Sequence, residues 1–88
     1  MKPFRIYTRS WCEDSHAAKE FLTGRGLVFE EIDIELHPEA VPFVEGANGG
    51  KRRTPTFEVA GRVFHASPFR TEILVAELGL AEAPESST

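Results

Sequence analysis

Between Phe4 and Ile34 the sequence runs apolar strand, amphipathic helix, apolar strand, and the length of the middle piece limits how the outer two can pair. Residues 2–8 alternate, with Phe4 and Ile6 on one side, although Pro3 limits pairing at the start. Ala18, Phe21 and Leu22 recur at helical spacing in a helix expected from Cys12 or Glu13 to Thr23, stopped by Gly24 and Gly26. Leu27 to Ile34 reads as the second strand. A crossover of this length brings the chain back to the same end of the sheet, so the two strands are parallel and the connection right-handed.

The second half follows a different order. Pro38 fits the first turn of another helix, with Ala40, Val41, Phe43 and Val44 as its apolar positions and Asn48-Gly49-Gly50 as its end. Thr56–Val59 and Arg62–His65 are short strands separated by Ala60-Gly61, a gap that only a tight antiparallel hairpin can close. Ser67 is placed as a cap and Pro68 as a first-turn residue for a last helix, with Ile73, Leu74, Ala76 and Leu78 on its inner face and Gly79 ending it. The sum is an α/β fold of order βαβ then ββα: one mixed four-stranded sheet with three packed helices. The domain is expected over residues 1–80, followed by a polar tail, 81–88, that frays. Sheets of this kind bind ligands beyond the carboxyl ends of their parallel strands. Cys12, directly after the first strand, lies at that edge.

Composition narrows the function. Eighty-eight residues hold a single modest core. One cysteine forms no internal disulfide, so stability requires no oxidising compartment. No charged-then-apolar leader opens the chain and no apolar run nears the ~20 residues of a membrane span, so a cytoplasmic protein without membrane contact is expected. The net charge of −4 argues against general nucleic-acid binding. Glu30 to Glu45 contains six acidic residues and neither Lys nor Arg, whereas Lys51-Arg52-Arg53 is the dense basic cluster. That cluster is either a solvated surface or a seat for a small carboxylate or phosphate.

Cys12 is the residue with chemistry to offer. A thiol at a helix N-terminus faces unpaired backbone N–H groups and the positive end of the helix dipole, and both favour the nucleophilic thiolate. The alternative is a buried structural cysteine, against which its polar neighbours speak. Cys12 and His16 have a metal-ligand spacing, but His37 and His65 belong to other elements and two ligands make no zinc site, so no metal is expected. Trp11 either packs against a partner or shields the turn.

These elements together resemble the glutaredoxin branch of the thioredoxin fold, over nearly the whole chain. The resemblance rests on the aromatic–Cys-x-x-Ser turn from Trp11 to Ser15, on Thr54-Pro55-Thr56 where the family has a turn with a cis proline, on the basic residues before it, and on the strand spacings and closing helix. It implies a glutathione-dependent thiol–disulfide oxidoreductase with an electron-transport role. Cys12 takes a glutathionyl group from a mixed disulfide, and a second glutathione releases it. The partners implied are glutathione and glutathionylated or disulfide-bonded proteins, with the chain itself a monomer. The backbone of Thr54, turned by Pro55, pairs with the cysteinyl part of glutathione. Arg52 or Lys51 holds the glycyl carboxylate, aided by Arg9, which otherwise serves the thiolate. Arg70, placed on the first turn of the last helix, is a weaker candidate of this kind.

Three departures from the family pattern qualify that picture. Ser15 stands where a second thiol would resolve an intermediate; it is left to cap the helix or to hydrogen-bond the sulfur. Glu13 and Asp14 replace uncharged residues, and carboxylates beside the sulfur oppose its ionisation. Ala66-Ser67-Pro68-Phe69 replaces the family's Gly-Gly-x-Asp, leaving Ser67 to offer its hydroxyl and N–H to the γ-glutamyl end of glutathione. Two other readings follow from the same motif. One is a dimer holding a [2Fe–2S] cluster with glutathione, as relatives with Cys-Gly-Phe-Ser do. The other is a dithiol protein whose resolving cysteine has been replaced by Ser15.

Overall fold

The structure is a computed structural model and describes residues 4–80. The tail expected at residues 81–88 lies outside the described residues. The order is β1 (Phe4–Thr8), α1 (Glu13–Gly24), β2 (Phe29–Asp33), a 3-10 turn (Pro38–Ala40) running into α2 (Val41–Ala47), β3 (Thr56–Val59), β4 (Arg62–His65) and α3 (Thr71–Leu78). The strands lie in the order β2-β1-β3-β4, with β1 and β2 parallel and the other two pairings antiparallel. This is the mixed sheet with three helices that the pattern predicts.

Alternation along β1 divides the apolar side chains between two cores. Phe4 and Ile6 face α1 and α3, where they meet Ala18, Leu22, Phe57, Ala66 and Leu74. Tyr7 faces the other way and packs with Ile34 and Val44 under α2. The first core is the larger. Its centre is Phe57, fully buried and stacked on Phe64 with ring centroids 5.1 Å apart. Burying a side chain of that size stabilises by roughly 1.5–3 kcal/mol. The second core is thinner, and Phe43 stays 38% exposed although its ring lies 5.0 Å from that of Tyr7.

The strand β2 is shorter than expected. Leu27 gives its N–H to Leu22 O at 3.1 Å, and Gly26 has φ 71, so Leu27 closes the end of α1 before pairing can begin. The hairpin turn does form at Ala60-Gly61, both with positive φ (50 and 83).

The approach to α3 departs most from expectation. Ser67 does not cap the helix and Pro68 is not in its first turn; the helix begins at Thr71, with Arg70 extended at the N-cap rather than inside the first turn. The intervening segment is held against α1 instead. The Phe69 N–H donates to Asp14 Oδ1 at 3.0 Å and the Phe69 ring lies 6.3 Å from that of Phe21. Along α3, Leu74 is buried and Ile73 and Leu78 pack on the larger core, but Ala76 is exposed. Gly79 ends the helix in the left-handed conformation. No helix among the described residues is long and apolar enough to cross a membrane.

Candidate active site

The site is assembled where the turn after β1 meets the loop before β3. Cys12 is the N-cap of α1, its N–H donating to Arg9 O at 3.1 Å and its carbonyl accepting from His16 N–H at 3.2 Å. Its side chain is half-buried, and Sγ lies 3.4 Å from Thr54 O. The Thr54–Pro55 peptide bond is cis. Burial alone would push the Cys12 thiol up. Hydrogen bonding with Ser15 and Thr54, together with the backbone N–H groups of Ser15 and Asp14, outweighs it and holds the thiol below its ordinary value.

Ser15 sits one turn along the same helix face. Its hydroxyl is fully buried and has no hydrogen-bond partner among the described residues. An ionised sulfur supplies the acceptor that this O–H lacks, which is why Ser15 counts among the groups favouring the thiolate. The Asp14 carboxylate accepts from Phe69 N–H at 3.0 Å, which ties the first turn of α1 to the loop before α3. Glu13 is exposed.

One flank of the thiol is basic, and two of its cations, Arg9 and Arg52, are already engaged. Arg9 gives Nε to Thr54 Oγ1 at 3.2 Å and Nη2 to the Arg52 carbonyl at 2.6 Å, and its guanidinium covers the Trp11 ring at 4.3 Å. Arg9 therefore ties the Cys12 turn to the loop bearing Thr54. Trp11, 61% exposed, donates Nε1 to Glu35 Oε2 at 3.0 Å. The Arg52 side chain, 58% exposed, is paired with Glu45 at 2.8 Å. Lys51 is exposed; its N–H donates to Asn48 O at 3.3 Å, while its side chain has no hydrogen bond or ion pair among the described residues. Beside these groups lies a cleft of about 540 Å³ lined by Arg9, Glu35, Val41, Pro42 and Arg52.

The opposite flank is the loop 66–69. Ala66 N–H bonds Pro55 O at 3.0 Å, which seats the loop beside the cis proline. Ser67 N–H donates to His65 Nδ1 at 3.4 Å, and Ser67–Pro68 is a second cis bond, not expected from the sequence. Pro55 and Thr54 are buried between the flanks.

The structure thus brings Cys12, Ser15, Arg9 and Thr54 into contact or adjacency, with Pro55 and Ser67 on the far side and Lys51 and Arg52 at the rim. Sequence reasoning missed Glu35, Glu45 and Asn48. The first two hold Trp11 and Arg52; Asn48 Nδ2 ties α2 to the loop through Val44 O (2.8 Å) and Thr56 Oγ1 (3.0 Å). Their signal in sequence was faint: single polar residues in or beside a helix, with partners set only by the fold. His16 is exposed, with Nε2 on Ser10 O at 2.6 Å. Among the described residues no three His, Cys, Asp or Glu side chains gather as a metal site.

Comparison with known proteins agrees with this fold. The Glutaredoxin family model matches residues 5–64. Two curated proteins, from two strains of Mycobacterium tuberculosis and both named "Putative glutaredoxin", are each 37% identical over 68 residues, 77% of this chain and 81% of theirs. Among solved structures, a mutant of the thioredoxin-like protein BC3987 superposes with a TM-score of 0.75 at 26% identity, covering 92% of this chain and 100% of that one. A wheat glutaredoxin superposes with a TM-score of 0.67 at 18% identity, over 90% of this chain and 74% of its own, a likeness of fold.

Proposed function

The chain belongs to the glutaredoxin family, and on that premise we propose that it is a monothiol, glutathione-dependent thiol–disulfide oxidoreductase with Cys12 as its nucleophile. The Cys12 thiolate attacks the glutathione sulfur of a mixed disulfide. A bond forms between that sulfur and Sγ, the old S–S bond breaks, and the protein substrate leaves as a thiolate that takes up a proton. A second glutathione thiolate then attacks the glutathione sulfur held on Cys12, leaves as the oxidised dimer and restores the Cys12 thiolate. Each turnover thus consumes one glutathione thiol, which leaves joined to the glutathione that arrived in the mixed disulfide.

The observation that carries this reading is the seat of the thiol: at the N-cap of α1, below its ordinary pKa, with Sγ 3.4 Å from Thr54 O. A cysteinyl backbone carried on that sulfur would meet the Thr54 carbonyl, which lies 3.4 Å from Sγ. Lys51 has a charge to spare for a substrate carboxylate; Arg52 must exchange its bond to Glu45 for one to the ligand. Arg9 spends Nε on Thr54 and Nη2 on the Arg52 carbonyl, which positions the loop, and keeps Nη1 for a substrate carboxylate.

Mass spectrometry after treatment with oxidised glutathione tests the reading. One glutathionyl group is expected on Cys12, removed by reduced glutathione and absent from Cys12→Ser. A protein that takes up none, or an adduct that reduced glutathione does not release, refutes it.

A further inference from the structure

The two flanks of Cys12 differ in more than sign of charge. On the flank formed by residues 66–69, the backbone donors that would receive an anion are accounted for one by one. Ala66 N–H is on Pro55 O, Ser67 N–H is on His65 Nδ1, Pro68 has none, and Phe69 N–H is on Asp14 Oδ1. Four successive positions therefore offer a ligand no free backbone donor. What they do offer is a carboxylate: Asp14, half-buried, spends Oδ1 on Phe69 and has no other hydrogen bond among the described residues. The Ser67 hydroxyl adds one small polar group that either donates or accepts.

From this accounting we infer that Asp14 is a specificity residue, which makes the flank at 66–69 a seat for a carboxylate-free, donor-bearing end of the low-molecular-weight thiol. An ammonium or a hydroxyl finds an acceptor in Asp14. A carboxylate finds a like charge and, within residues 66–69, no N–H to replace its water, a cost of desolvation without return. The inference rests on the proposed exchange at Cys12 and assigns the selectivity of that same site. Glutathione is only partly suited to it, since its γ-glutamyl end carries an ammonium and a carboxylate together. The thiol best suited bears a carboxylate toward Lys51 and Arg52 and none toward Asp14. Asp14 touches the ligand in this assignment, and its bond to Phe69 sets the direction in which its charge points.

Second-order rates of Cys12 with two disulfides separate this role from a purely structural one. The first is oxidised glutathione; the second is the same disulfide with each glutamyl α-carboxylate converted to its amide, which keeps the ammonium. Their ratio cancels any change in the reactivity of the sulfur itself. The parent is expected to favour the amide by roughly fivefold or more, the scale of one like-charge contact near a protein surface. Asp14→Asn keeps an acceptor for Phe69 N–H while removing the charge, and should bring the ratio close to one. A parent ratio at or below one, or a ratio that Asp14→Asn does not move, overturns the assignment. Bis(2-hydroxyethyl) disulfide, uncharged, distinguishes the two levels. If Cys12 exchanges with it while the charged pair shows no selectivity, only the role of Asp14 falls; if Cys12 does not exchange with it, the reading of Cys12 falls and takes this one with it.

Discussion

The hydroxyl of Ser15 has a place in the interior and nothing to hold there until the sulfur ionises. A buried donor without an acceptor is costly, so ionisation of Cys12 relieves two groups at once. The direction with pH follows. The thiol pKa is depressed by the fold, so the stabilisation of the thiolate is fully present above the pKa of an unfolded cysteine, roughly 8.5, and is lost as pH falls through the folded value. The rate of alkylation of Cys12 against pH should accordingly have its midpoint below that of a free cysteine. Ser15→Ala should move the midpoint upward toward it, and a midpoint that stays put would show that the hydroxyl does not serve the anion. Cys12 and Ser15 were legible in the sequence because a lone thiol before a helix leaves few alternatives. The orientation of Asp14 was not. Its bond joins it to a loop 55 residues away, a partner that only the fold supplies.

At the scale of elements, the β3–β4 hairpin carries a local conflict. A two-residue turn of this hand needs positive φ at both positions; Gly61 adopts it freely, while Ala60 at φ 50 is forced into a region costing an L-residue about 1 kcal/mol. Ala60→Asn or Ala60→Gly should therefore raise unfolding stability by about 0.5–1 kcal/mol in urea titration. An unchanged or lowered midpoint would mean that the turn is held by its strands without strain. The hairpin itself was readable from the gap between two alternating runs. The start of α3 was not, because Ser-Pro is a good helix opening in isolation. Here Phe69 is claimed by Phe21 and Asp14 before the helix can include it. Tertiary contact overrides a sound local signal. The shortened β2 has a similar cause, since Leu27 is used to finish α1.

Taken whole, the molecule has two cores of unequal weight, and most of its stability belongs to the one around Phe57. Phe57→Ala should cost about 3–5 kcal/mol, a large part of the ~5–15 kcal/mol that holds a domain together. Thermal or denaturant unfolding followed by circular dichroism checks it; a loss under ~1 kcal/mol would mean the site collapses around the void, against the close packing of Phe4 and Phe64 on that ring. The architecture was legible from the spacing of Phe4, Ile6, Ala18 and Leu22, since periodicity 2 and 3.6 decide which faces must meet. The single thiol has a last consequence. A chain with one cysteine cannot close a disulfide on itself, so its oxidised disulfide forms always carry the other half of the bond as a passenger. The mass of the oxidised protein is then a signature of the last thiol it met, and the molecule serves as a recorder of its own encounters.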